Sequence, residues 1–275
     1  MIDRSKPYVG VSGIVNPEQQ RVLLDASQSL RSQGHRLNLG VKAVHKTQWL
    51  DINNKYGRDW YPVGDEIADA IRPVNRHDNT MVTAQVFLDF KAAEGEQNYA
   101  KRFVSKMMGR TGHYLTAVQF DLLPWAHGEA VGMFEFIKDY DSDLEIILQC
   151  YGPLMEQYSP DMLMKRFRPY HEIVDHLLFD ASHGTGTRLN PAALEPYIDK
   201  ASELAWLGVG VAGGLDANVV SEDLPSLMMK YPHLSIDAEG RLHRNTDIED
   251  KSLNIDETTR YITEAEKLVS SRFHP

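Results

Sequence analysis

Eight short runs of β-branched and other apolar residues, each followed by a stretch of helical periodicity, constrain this chain more than any other feature. The runs begin near Tyr8, Arg36, Met81, Tyr114, Leu144, His176, Leu207 and Leu234, at intervals of about 28, 45, 33, 30, 32, 31 and 27 residues. Each interval is close to the length of one βα unit. The runs lack clean apolar/polar alternation, as strands do when a parallel sheet is covered on both faces. Eight such units in 275 residues predict a single-domain (β/α)8 barrel of the TIM type over residues 1–275.

The helical stretches carry their own punctuation. "NPEQQRVLLDASQSLRSQG" offers Asn16 as N-cap, Pro17 at the first helical position and Gly34 as the stop. "SPDMLMKRF" and "NPAALEPYIDKASEL" repeat the pattern with Ser159-Pro160 and Asn190-Pro191; in the latter, Leu194, Ile198, Ala201 and Ala205 fall on one face. The last helix, near 255–272, is expected to bury Ile262, Ala265 and Val269, and the methionines of "PLMEQYSPDMLMKRF" read as core packing. The long interval after the second strand, about 47–79, reads as an aromatic-rich loop that either covers the mouth of the barrel or decorates its surface.

Charge and cysteine content narrow the function. A net charge of −10 supplies no basic excess for nucleic acid. The only cysteine, Cys150, leaves neither a disulfide framework nor a thiolate zinc site. The N-terminus lacks a signal-peptide pattern, and "AWLGVGVAGGL" at 205–215 is too short and glycine-rich to span a bilayer. A cytoplasmic protein with no membrane or nucleic-acid partner is expected.

In such a barrel the chemistry collects at the C-terminal ends of the strands. Read in order, those ends carry Ser12, Lys42 with His45, Asp89, Gln119 with Asp121, Gln149, Asp180 with His183, Gly213-Gly214, and Asp237. Asp180 follows "HLLF" directly; partly desolvated there, its carboxyl would titrate high and act as a general acid, or it caps the loop that follows. The Gly213-Gly214 turn before Asp216, with the Ala238-Glu239-Gly240 turn beyond it, reads as a cradle for an anion, which Glu239 opposes unless it faces solvent, or else as a plain tight turn. Lys42 suits a substrate carboxylate or phosphate, a Schiff base if desolvated, or an ion pair. Gln119 and Asp121 share a strand face and can order each other. His45, Asp89, Asp121, His183 and Asp237 are metal-ligand types, but no H-E-x-x-H spacing joins them, so neither a metal nor a cofactor is assigned.

With those residues in view, the chain resembles the phosphoribosylanthranilate isomerase family, (β/α)8 enzymes of tryptophan biosynthesis. "VGVSGI", "TAQVFLD" and "TAVQFD" are similar to its first, third and fourth strand motifs. "LLFDASHGTGTRLNP" resembles its sixth strand and Gly-Thr-Gly loop, "VGVAGGLDANVV" its seventh-strand segment, and "LSIDAEG" its eighth. The resemblance implies Asp180 as general acid, and puts Ser12 in the place of the family's basic cysteine. It places Ala238, Glu239 and Gly240 at the family's phosphate turn; together with the strand-end reading, the substrate is expected at Lys42, Gln119, Asp121, His183, Thr185 and Gly186, with its phosphate at Gly213, Gly214 and that turn. A serine hydroxyl is too weakly acidic to serve as a ready base without an activating partner. The expected function is acid–base proton transfer on a small, anionic, phosphorylated sugar-like substrate. The alternatives are a catalytically reduced metabolite-binding relative and a metal-dependent lyase or hydrolase on the same barrel.

Overall fold

A computed structural model of the chain describes residues 7–55, 57–58, 60–72, 79–121, 123, 130–182, 186–243 and 252–270. Eight parallel strands close into a barrel in sequence order, with the eighth pairing back onto the first. They are β1 (Tyr8–Ser12), β2 (Arg36–Val44), β3 (Thr80–Phe87), β4 (Ala117–Phe120), β5 (Glu145–Tyr151), β6 (His176–Asp180), β7 (Gly208–Ala212) and β8 (Ser235–Ala238). The helices between and after them are α1 (Pro17–Ala26), α2 (Gln28–Ser32), α3 (Glu66–Ile71), α4 (Tyr99–Thr111), α5 (Ala130–Tyr140), α6 (Gly152–Gln157), α7 (Pro160–Phe167), α8 (Pro191–Ser202), α9 (Ala217–Glu222), α10 (Leu224–Lys230) and α11 (Ile255–Ser270).

The two faces of each strand differ, because successive side chains point to opposite sides. Outward residues such as Val9, Val11, Leu37, Leu39, Val82, Leu177, Phe179 and Val211 merge with the helices into one large apolar layer. A smaller apolar cluster of Tyr8, Met81, Ala117, Ile147, Leu178 and Ala212 stands apart from it, on the inward parity of the strands. Many of the other positions of that parity are polar, among them Ser12, Asn38, Lys42, Thr83, Gln85, Gln119 and Asp237, all buried.

Several local readings need adjustment. Asn16 caps α1 by accepting a hydrogen bond from Gln19 N, but the helix breaks at Ser27, whose hydroxyl donates to the Leu24 carbonyl, and α2 resumes before Gly34. Leu194, Ile198 and Ala201 are buried as the periodicity of α8 requires, whereas Ala205 lies beyond its end and is exposed. Ser159 and Asn190 precede their helices without donating or accepting a side-chain cap, leaving the prolines as the start signal. In the methionine-rich stretch Met155 is buried but Met162 faces outward. Among the described residues no helix is long and apolar enough to cross a membrane.

Candidate active site

Small residues make room for polar ones inside the barrel. A β carbon on Gly10 would lie 2.6 Å from the Asp237 carboxyl carbon, and one on Gly40 would lie 2.8 Å from Ser12 Oγ and 3.1 Å from the Gln85 amide. Through these two gaps, the second of them on β2, side chains of β3, β1 and β8 join in one hydrogen-bonded chain. Gln85 Nε2 donates to Ser12 Oγ, and Ser12 Oγ donates to Asp237 Oδ1 over 2.9 Å. The Ser12 hydroxyl thus has a carboxyl partner across a strand pair. Burial pushes the Asp237 carboxyl up to about 8 against the pull of the Ser12 hydrogen bond, and repulsion from Asp121, Glu239 and Asp180 adds to the rise.

A second carboxyl behaves alike. Gln119 Nε2 donates to Asp121 Oδ1 over 2.7 Å, as their shared strand face suggests. Burial lifts Asp121 to about 7 despite that bond and the attraction of Lys42; Glu239 and Asp180 push it higher still. Gln85 and Gln119 are register partners on adjacent strands. Their Oε1 atoms, and Asp237 Oδ2, are buried and have no hydrogen-bond partner among the described residues.

Asp180 is held differently. It is half-buried at the end of β6, where Oδ1 accepts hydrogen bonds from Ser182 N (2.8 Å) and Ser182 Oγ (2.7 Å), and Oδ2 accepts one from Gln149 Nε2 (3.0 Å). The barrel encloses Asp121 and Asp237 more fully than Asp180.

Lys42 is buried and ion-paired to Glu239. Burial lowers its proton affinity, but the adjacent Glu239 carboxylate outweighs this and holds it above its ordinary value, which favours the ammonium form. Three aromatic rings surround its Nζ, with centroids at 5.2 Å (Trp60), 5.7 Å (Tyr61) and 5.3 Å (Phe87). Trp60 and Tyr61 come from the long segment after β2, which therefore lies over this side of the mouth. Trp60 also stacks on His243, the ring centroids 4.4 Å apart and the planes within 4°.

The cradle assigned to phosphate has a different character. Gly213 and Gly214 take positive φ values of 95° and 62°, and a β carbon on Gly214 would lie 2.0 Å from the Thr187 carbonyl oxygen, so this glycine serves close packing of two loops. Asp216 caps α9 by accepting from Val219 N, and Glu257 accepts from Ala217 N. Glu239 turns inward onto Lys42, while Arg241 bridges the Gly186 carbonyl (2.9 Å) and Asp216 (2.7 Å). Ala238 is buried at the end of β8, and Gly240 opens a short 3-10 turn.

Other candidates fall away from the mouth. His45 opens the helical turn just beyond β2 and is buried with its Nδ1 2.6 Å from Tyr99 Oη, and Asp89 is exposed and accepts a hydrogen bond from Ala92 N. His183 and Thr185 lie outside the described residues. Among the described residues no group of three His, Cys, Asp or Glu side chains is disposed to hold a metal ion. The reading by strand ends missed Gln85, Ser182, Trp60, Tyr61 and His243. For Gln85 a signal existed: Thr83 and Gln85 are alternate polar residues in an otherwise apolar strand.

No family model and no curated protein matches this chain. Solved structures do match in fold. The tryptophan synthase alpha subunit of Legionella pneumophila str. Paris superposes with a TM-score of 0.57 at 14% identity, covering 97% of this chain and 92% of that one. The catalytic domain of a hyperthermophilic chitinase from Pyrococcus furiosus gives 0.60 at 8% identity over 98% and 97%. A GH10 xylanase of Thermobacillus composti gives 0.53 at 13% over 95% and 97%. All three are similar to this chain in their barrel, and at these identities the likeness extends to the fold alone.

Proposed function

We propose that this protein is an acid–base enzyme that moves protons on a small, hydroxylated, sugar-like substrate at the C-terminal mouth of its barrel. The observation that carries the reading is the Gln85–Ser12–Asp237 chain, which ends in a carboxyl raised to about 8 and shares one mouth with Asp180. A base poised near neutrality is what general-base catalysis asks for. Ser12 accepts a proton from the substrate as its own passes to Asp237 Oδ1, leaving the hydroxyl neutral and the carboxyl protonated. Asp180, oriented by Ser182 and Gln149, handles the proton on the opposite side of the mouth. Lys42, fixed by Glu239 and the aromatic rings, presents positive charge to an oxygen that becomes electron-rich.

Asp180 and Ser12 occupy the acid and base positions of the phosphoribosylanthranilate isomerase pattern. That family's Amadori step, however, removes a proton from carbon, and a hydroxyl relayed to a carboxylate suits an oxygen-bound proton better. A phosphate handle is also poorly served here, since Glu239 lies on the cradle side and the amides of Ala217 and Val219 are already taken. The chain is therefore not expected to rescue a tryptophan auxotroph lacking the isomerase; loss of an effective carbon base is typically worth about 10² to 10⁴-fold. The direct test is to incubate the protein with a small-molecule extract in D2O and follow metabolites by NMR and mass spectrometry. Conversion of a metabolite that disappears in Asp180→Asn and Asp237→Asn supports the reading. Binding without any conversion by the wild type means a barrel that holds metabolites and does no chemistry.

A further inference from the structure

We infer that the substrate of this site carries a primary amine, bound as its ammonium between Gln85, Gln119 and Asp237. The inference rests on the acid–base reading above and adds the ligand's chemical class to it.

Three buried oxygens in the mouth have no hydrogen-bond partner among the described residues: Gln85 Oε1, Gln119 Oε1 and Asp237 Oδ2, the last a free acceptor once its carboxyl proton has left. Both glutamines are 2% exposed and Asp237 is 3% exposed, so bulk water does not satisfy them. Buried polar atoms left unpaired are expensive, and each one asks for a partner. The amide nitrogens are already committed, Gln85 to Ser12 and Gln119 to Asp121, which leaves the oxygens as the atoms still open to a donor. The three groups also belong to one neighbourhood. Gln85 and Gln119 are register partners, and Gln85 reaches Asp237 through the single Ser12 hydroxyl.

An ammonium brings three donors and no acceptor, which matches three acceptors lacking donors. A hydroxyl brings one donor and would leave two of them unsatisfied. Charge points the same way. Asp180 and Glu239 repel both Asp121 and Asp237, Asp121 repels Asp237 as well, and the cation that acts on Asp121 is Lys42, which is ion-paired to Glu239. A cation entering here is attracted by every carboxyl in the cluster, whereas a phosphate ester is repelled. Among the described residues no metal-binding group of acids and histidines is present, so the geometry favours a hydrogen-bonded organic cation.

The test is binding, read apart from turnover. Ethanolamine, serinol and D-glucosamine are titrated calorimetrically at pH 7 against ethylene glycol, glycerol, D-glucose and D-glucose 6-phosphate. At least one amine is expected to bind about tenfold or more tighter than its hydroxyl counterpart, as hydrogen bonds from a charged donor warrant. Its heat should also vary with the ionisation enthalpy of the buffer. An ammonium beside Asp237, which faces Asp121, Asp180, Glu239, Tyr8 and Tyr261, favours loss of the carboxyl proton. Gln119→Leu should erase the preference for the amine; Gln85→Met serves if the first variant does not fold. Equal or tighter binding of the alcohols or the phosphate ester, no binding by any amine, or a preference that survives both variants overturns the inference. Amine binding without catalysis would instead sink the acid–base reading, while turnover confined to neutral or phosphorylated compounds would uphold that reading and refute this one.

Discussion

Replacing Asp237 by asparagine should make the protein more stable, and more so as the pH rises. Asparagine keeps the acceptor for Ser12 at nearly the same volume but has no proton to lose. In the wild type the carboxyl titrates at about 8 in the folded chain, against an ordinary value of 3.8 once unfolded. A folded value above the unfolded one means stability that is complete below about pH 3.8 and is lost as the pH climbs toward about 8. At about 1.4 kcal/mol per pH unit over that window, the wild type loses roughly 2 to 3 kcal/mol between pH 5 and pH 7 that the variant keeps. Asp121 imposes a slope of its own, but it is present in both proteins and largely cancels in the difference. Urea unfolding of both proteins at pH 5, 6, 7 and 8 reads this directly, as a gap between the two curves that widens with pH. Parallel stability curves would refute the argument, because they would mean Asp237 is ionised in the folded chain and its burial has been offset elsewhere. The same variant should be inactive, so stability and activity trade against each other at one residue.

Other outcomes follow from the same geometry. Asp180→Asn should abolish turnover with the melting temperature nearly unchanged, since its Oδ1 still accepts from Ser182 and the Gln149 amide can rotate to meet the new NH2; retained activity would make Asp180 a loop cap only. Gly214→Ala should destabilise by roughly 2 to 4 kcal/mol in thermal or urea unfolding, because its β carbon meets the Thr187 carbonyl at a left-handed φ. Glu145 is held at about 2, its burial outweighed by His176 and Arg36, so it stabilises the fold above about pH 4.5 and stops doing so as the pH falls toward 2. Glu145→Gln should accordingly cost about 3 kcal/mol at pH 7, with the difference closing in acid unfolding.

The barrel was readable because strands buried on both faces appear as nearly continuous apolar runs at βα spacing, and all eight lie where those runs fall. Strand ends also pointed to Ser12, Lys42, Asp121, Asp180 and Asp237. Their electrostatics were not readable in the same way. Asp180 follows the most suggestive motif, yet its strand leaves it half-exposed beside a serine, whereas Asp237 is enclosed because Gly10 stands opposite. No local pattern announces that Lys42 meets a carboxylate 197 positions away, or that Trp60 reaches across to His243. Those contacts are set by closure of the barrel and by loops whose composition is compatible with many conformations.

The gaps at Gly10 and Gly40 tie the mutational fate of distant positions together. Either glycine can gain a methyl group only if its neighbour shrinks: Asp237 in the first case, Ser12 or Gln85 in the second. Shrinking those side chains while the glycines remain leaves an enclosed void, which a close-packed interior tolerates poorly. Each half of the arrangement is therefore a liability without the other. Gly10→Ala should be damaging alone and much milder on an Asp237→Ser background, so substitutions at these sites will be strongly epistatic, and a lineage that gave up the acid could seal the gap only afterwards.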